Sequence, residues 1–187
     1  MLIFNLMIIM LLIYSVVLLS GVKMMFNSKY FSGITFLFIM YYPFLNLIEG
    51  CKLGYTSTGD IIIFSIVFPL IFIWGYRRNK HIYSISNVKK DDVINIIKGY
   101  LEIKNIKYEV KEIGLYLPEF NKNIIVDNFS EKSLDCREIK GIYFYNELVE
   151  KVRVEIKKIK KRYFPIDGMF FLVLAIILYW SKAKFFS

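Results

Sequence analysis

The chain holds 187 residues, 56% of them hydrophobic and 18% aromatic, yet it carries 25 Lys+Arg against 16 Asp+Glu, a formal net charge of +9. A soluble domain this apolar would have more core than surface to cover it, and a basic nucleic-acid binder would be far more polar, so the two properties belong to different segments. Two cysteines and one histidine are too few for a disulfide scaffold, a Cys/His zinc site or a Ser-His-Asp arrangement.

Residues 1–22 contain no charged side chain, only Asn5, Ser15 and Ser20 interrupting an aliphatic run. At about 1.5 Å per residue the stretch covers a hydrocarbon core of about 30 Å. It lacks the basic opening and the small-x-small cleavage site of a signal peptide, and so reads as a retained transmembrane helix. A second uncharged run fills 30–48 and closes at Glu49, Gly50 and Lys52. A third run, 61–76, lies between Asp60 and Arg77 and predicts a helix over 60–76; it is short for a bilayer and is expected to borrow residues from 54–59 or to sit in a thinned membrane. Pro43 and Pro69 fall inside these two spans and predict packing kinks, which membranes tolerate when neighbouring helices re-satisfy the freed carbonyl.

Residues 77–163 change character, with charges every few positions and no apolar run long enough to span. A strand is predicted at 82–85, followed by a helix capped by Asp91 or Asp92, with Val93, Ile96, Ile97, Tyr100 and Leu101 on one face. Strict alternation over 106–111 predicts a strand with one wet face. Further short strands are expected at 113–117, 124–127 and 142–145, with turns at Pro118, 121–123 and 128–133. A last helix opens at Asn146 and buries Leu148, Val149, Val152, Ile156 and Ile159. A fourth span, 164–181, follows Arg162, with Pro165 and Asp167 where a helix start favours them.

The expected fold is therefore a membrane protein of four transmembrane α-helices with a small α+β cytoplasmic domain inserted between helices 3 and 4. In that domain two helices lie on one face of a mostly antiparallel sheet. Charge sets the orientation. Ten cations near span ends (Lys23, Lys29, Arg77, Arg78, Lys80, Lys157, Lys158, Lys160, Lys161 and Arg162) fall on one side and three (Lys52, Lys182 and Lys184) on the other. By the positive-inside rule the domain is cytoplasmic, both termini are outside, and the protein is a multi-pass resident of the cell membrane. Cys51 then faces outside and Cys136 inside. Richness in Ile, Lys, Asn and Tyr with few Ala points to an AT-rich bacterial genome.

No motif with a known mechanism is present: no Gly-rich phosphate loop, H-E-x-x-H, G-x-S-x-G or paired-Cys spacing. His81 beside the 77–80 cluster reads as a solvated juxtamembrane residue, and Cys136 has no nearby base to activate it. Asp127, Glu131, Asp135 and Glu138 lie close in sequence but lack calcium-loop spacing. Asn128-Phe129-Ser130 is a glycosylation sequon that a cytoplasmic position would leave unused. No catalytic residue, metal ligand or cofactor is assigned.

Two constellations stand out. Arg77, Arg78 and Lys80 with Lys157, Lys158, Lys160, Lys161 and Arg162 form a basic collar, read as topogenic charge or as a lipid-headgroup contact. Tyr83, Tyr116, Tyr143 and Tyr145 are expected to share the sheet face away from the helices as an interaction surface. Residues 81–156 hold 12 basic and 13 acidic residues, so the core of the domain is near neutral and nucleic acid is not an expected partner. The expected partners are the lipid bilayer and either another protein or further copies of the chain. The leading functional expectation is a non-enzymatic accessory or regulatory membrane subunit. A membrane-surface enzyme or binder acting on lipid headgroups, through acids such as Asp167 and Glu138, and an oligomeric pore or small transporter are the alternatives.

Overall fold

A computed structural model describes residues 2–127 and 132–185. The chain divides into two units, one made of Met1–Phe26 with Ile82–Ser187 and the other of Asn27–His81.

The second unit is a helical hairpin of α2 (Ser28–Lys52) and α3 (Thr58–Arg78). Asn27 caps α2 by accepting from the Lys29 amide at 3.1 Å, and Ser57 with Asp60 forms a reciprocal capping box at the start of α3. That box starts the helix at Thr58, ahead of the expected 60–76 segment, giving 21 residues and about 32 Å. The reversal is tight at Gly50, where a Cβ would come within 2.9 Å of Thr56 Oγ1. Between the helices runs an aromatic ladder, with Phe36 stacked on Phe68 at 4.8 Å and Phe44 on Phe64 at 5.7 Å. At the open end the Asn27 amide donates to the Lys80 carbonyl at 2.5 Å. No residue of α3 is buried, and Ile62, Ile63, Ile66, Leu70 and Trp74 point outward. A helix apolar all round and buried nowhere is built for a non-aqueous surround. Both α2 and α3 are long and apolar enough to cross a membrane.

In the first unit α1 (Leu2–Leu19) packs along α6 (Ile166–Phe185). Small residues let the backbones approach: Ser15 donates to the Gly168 carbonyl at 3.1 Å, and a Cβ on Gly168 would lie 3.0 Å from both Leu18 Cβ and the Leu19 amide. Tyr14 meets the Phe171 ring edge-on at 5.0 Å.

The rest of this unit is a six-stranded sheet in the order β1-β2-β6-β5-β4-β3: β1 Met24–Asn27, β2 Ile82–Ser86, β3 Glu109–Lys111, β4 Gly114–Leu117, β5 Lys122–Asp127 and β6 Lys132–Asp135. Pairing is antiparallel from β2 through β3, with Leu134 registered between Tyr83 and Val126 and Leu115 opposite Ile124. One face carries Tyr83, Ile85, Leu115, Leu117, Ile124, Val126 and Leu134 into the core. Covering it are Val93, Ile97, Tyr100 and Leu101 of α4 (Lys90–Ile103) and Leu148, Val149, Val152 and Ile156 of α5 (Tyr145–Lys158). Gly114 is indispensable where β4 begins: its φ is +150°, and a Cβ would lie 2.1 Å from the Ile124 carbonyl oxygen.

Several expectations change, among them the strand over 106–111: only Glu109–Lys111 forms one, and all three residues are exposed, so the expected buried side is absent from this strand. The 142–145 segment is not a strand; it turns, with the Ile142 amide on the Ile139 carbonyl and the Tyr145 amide on the Ile142 carbonyl, so that Phe144 plugs the core just before α5. The expected turn at 128–133 gives way at Lys132 to β6, whose single apolar residue, Leu134, is fully buried; residues 128–131, with the sequon and Glu131, lie outside the described residues. The connection after α1 contributes an edge strand, β1. At α4, Lys89 holds the cap position without a side-chain bond, while Asp91 and Asp92 sit in the first turn.

Candidate functional site

The most densely built polar region of the first unit lies where α1 ends and α6 begins. The last carbonyls of a helix lack intrahelical donors. Asn87, buried and at φ +60°, supplies one: its side-chain amide donates to the carbonyls of Leu18 and Val22, each at 2.9 Å. Lys23 donates to the Ile159 carbonyl at the end of α5. Tyr163 donates to Asp92 at 2.6 Å, and its ring lies beneath Lys89 at 5.3 Å and Lys161 at 5.6 Å. The exit of α1, the β2–α4 turn and the 159–165 connection are thus bonded together. Sequence reasoning missed this; the signal was an Asn between a strand and a helix, the residue type that accepts positive φ with least strain.

The basic residues fall in both units. Arg77 and Arg78 close α3 and Lys80 follows, with Arg78 over Trp74 at 5.2 Å. At that end of the hairpin Lys29 lies over Tyr30 at 4.6 Å and Tyr76 at 5.4 Å, the cation and aromatic mixture typical of a membrane–water boundary. Lys157 and Lys158 end α5, while Lys160, Lys161 and Arg162 occupy the extended connection to α6, all five exposed. Lys158 pairs with Glu155 at 2.8 Å.

The four tyrosines do not share a face. Tyr83 and Tyr145 are buried in the core with their hydroxyls 2.7 Å apart, because β2 puts Tyr83 in register with Leu134. Burial pushes the Tyr145 phenol well above its ordinary range. Tyr116 alternates to the open face, donating to Asn121 at 2.9 Å under the Lys111 ammonium. Tyr143, 78% exposed, stands in the turn before α5 and touches Phe120 and Phe144 edge-on. Nearby, burial and the Glu147 carboxylate push the Tyr100 phenol up to about 12.

On the open face a recess of about 270 Å³ is lined by Asn123, Ile125, Asp135, Arg137 and Glu138. Its charges satisfy one another: Arg137 binds Asp135 through Nε and Nη2, the latter at 2.6 Å, and Glu138 accepts from the Asn123 amide at 2.7 Å. Asp135 is thereby ion-paired and Glu138 held by a backbone amide. Asp167 opens α6. Among the described residues no group of three or more His, Cys, Asp or Glu is placed to hold a metal ion. Cys136 is fully buried, and burial followed by the Asp135 charge pushes its thiol up. A neutral, enclosed thiol is a poor nucleophile.

No known family, curated protein or solved structure matches the chain.

Proposed function

We propose that the chain is a four-span membrane protein with its α+β domain in the cytoplasm and both termini outside, and that it serves as a non-enzymatic accessory or regulatory subunit. The domain binds a protein partner or further copies of the chain, through the open sheet face that carries Tyr116 and the Asn123–Glu138 recess.

One observation carries this reading. Strand β1, in the connection between α1 and α2, belongs to the same sheet as β2 to β6. A sheet cannot be divided by a bilayer, so the α1–α2 connection and the domain share one side. That side holds ten of the thirteen cations near span ends, a pairing of hydrogen-bond topology with charge bias that supports the cytoplasmic placement. Internal satisfaction of the recess charges favours a docking role over acid–base chemistry, which needs a carboxyl of perturbed acidity free to move its proton.

The topology is testable by labelling, although native Cys136 is too buried to report. In a Cys136→Ala background, an impermeant maleimide on intact cells should modify Cys51 and spare a cysteine placed by Lys140→Cys, an exposed position; the reverse pattern overturns the orientation. For the role, photo-cross-linking from Tyr116 in native membranes should yield one discrete adduct of fixed mass. Only lipid adducts, or none, would overturn it.

A further inference from the structure

The connection between α5 and α6 is a preorganised patch of charge. Five of the six residues from Lys157 to Arg162 are cationic. Topogenic charge needs only to be present, and a disordered linker would serve. Here the backbone is held at both ends: the Ile159 carbonyl accepts from Lys23, and Tyr163 is fixed by its bond to Asp92 and by the Lys89 and Lys161 ammonium groups on its ring.

Of the cations, Lys158 is neutralised by Glu155, whereas Lys157, Lys160, Lys161 and Arg162 are exposed and, among the described residues, have no carboxylate within ion-pair distance. Directly after them Phe164 and Ile166 are 73% and 67% exposed. The local order is therefore cations held outward, then an aromatic boundary residue, then bare apolar surface continuing along α6 through Phe170 and Val173. Long basic side chains above an apolar wall match the phosphodiester and acyl chain of one lipid molecule, with the headgroup at the cations and the tail along α6.

We infer that the 157–166 segment with the first turns of α6 is a binding site for an anionic phospholipid. The site rests on the reading that α6 meets the bilayer. It accounts for the two features topogenic charge leaves unused, the tethered backbone and the exposed Phe164. Because phosphate and acyl chain are both engaged, a free headgroup phosphate is a poor substitute for the intact lipid.

The test uses the full chain purified in neutral detergent, with bound lipids counted by native mass spectrometry as phosphatidylglycerol or phosphatidylcholine is added. Wild type should retain phosphatidylglycerol at least about tenfold more tightly than phosphatidylcholine. K157Q/K158Q/K160Q/K161Q/R162Q should reduce that preference to within about twofold. The milder Lys160→Gln/Arg162→Gln pair, outside any helix, should give an intermediate preference and serves where the fivefold variant fails to fold. Replacement of the four lysines by arginine should leave the preference intact, and glycerol phosphate should not displace the lipid. Equal retention of the two lipids, a preference that survives in both glutamine variants, or displacement by glycerol phosphate would each overturn the site. The four-span reading is judged separately by the cysteine labelling, so a failed lipid preference with Cys51 labelled outside rejects the site and leaves the topology standing.

Discussion

The hairpin of α2 and α3 and the sheet domain draw on the same apolar residue types and dispose of them in opposite directions. In α3 no side chain is buried, and its isoleucines and leucine face out. In the domain, Ile85, Ile97, Leu115, Ile124, Leu134, Leu148 and Ile156 are all nearly or fully buried. Apolar content alone therefore says little about where a core lies; the spacing of charge does. Where charges recur every few residues, apolar side chains can retreat to one face, and where they are absent, as over 30–48 and 61–76, the helix has no wet side to turn outward.

The sharpest way to break this contrast is to put a carboxylate at the centre of the domain. Leu134→Asp should destabilise the domain by more than about 4 kcal/mol, whereas Ile66→Ala on the outer surface of α3 should move stability by less than about 0.5 kcal/mol. Hydrogen exchange on the full chain in detergent would read both. Equal effects would mean that the hairpin helices carry a buried face of their own.

Glycine offers a second comparison. Gly114→Ala forces a Cβ to 2.1 Å from a carbonyl at φ +150° and should cost the domain about 2–4 kcal/mol, while Gly75→Ala, with no atom within 4 Å, should leave α3 unchanged or slightly firmer. Thermal melts monitored separately through domain and hairpin would separate the two outcomes.

The smallest difference lies in pH response. The folded domain holds the Cys136 thiol and the Tyr145 and Tyr100 phenols neutral by raising their pKa, so their contribution is complete below the unfolded values and is lost as pH rises. Stability should begin to fall near pH 8.5, where an unfolded cysteine ionises, and fall more steeply above about pH 10 with the tyrosines. Cys136→Ala should move the onset to about pH 10, at a baseline cost of about 1–2 kcal/mol for the cavity. An onset unmoved by that substitution would exclude the thiol as its source.

What could be read in advance followed from how strongly each segment repeats its pattern. The 93–101 helix face was legible because burial on one side imposes a period that survives in the residues, and 113–117 and 124–127 were legible as short strands; the alternation over 106–111 misled, because β3 is exposed at every position. Strand β6 has one apolar residue in four, Leu134, so its place in the sheet comes from neighbours on both sides and not from its own pattern. The sequence Ile142-Tyr143-Phe144-Tyr145 resembled a strand because aromatic residues favour one, yet burying Phe144 and starting α5 required a turn. Among candidate site residues, the basic cluster was visible as composition. The division of the tyrosines was not, since it depends on Tyr83 falling in register with Leu134. Asn87 was hidden because its partners, Leu18 and Val22, lie more than sixty residues away.

The position of β1 at the sheet edge also governs how the protein is made and how it may be cut. Its residues leave the ribosome before α2 and α3, while their partner β2 follows the whole hairpin, so the edge strand waits through the synthesis of two helices before it can pair. A fragment of residues 82–163, without α6, would retain most of the hydrophobic core but leave the outer edge of β2 without its neighbour. The bared amides and carbonyls would offer a template to any extended strand, another copy included. Such a fragment is expected to be folded but sticky, and linking Met24–Asn27 to it through a short flexible loop is the change expected to make it soluble.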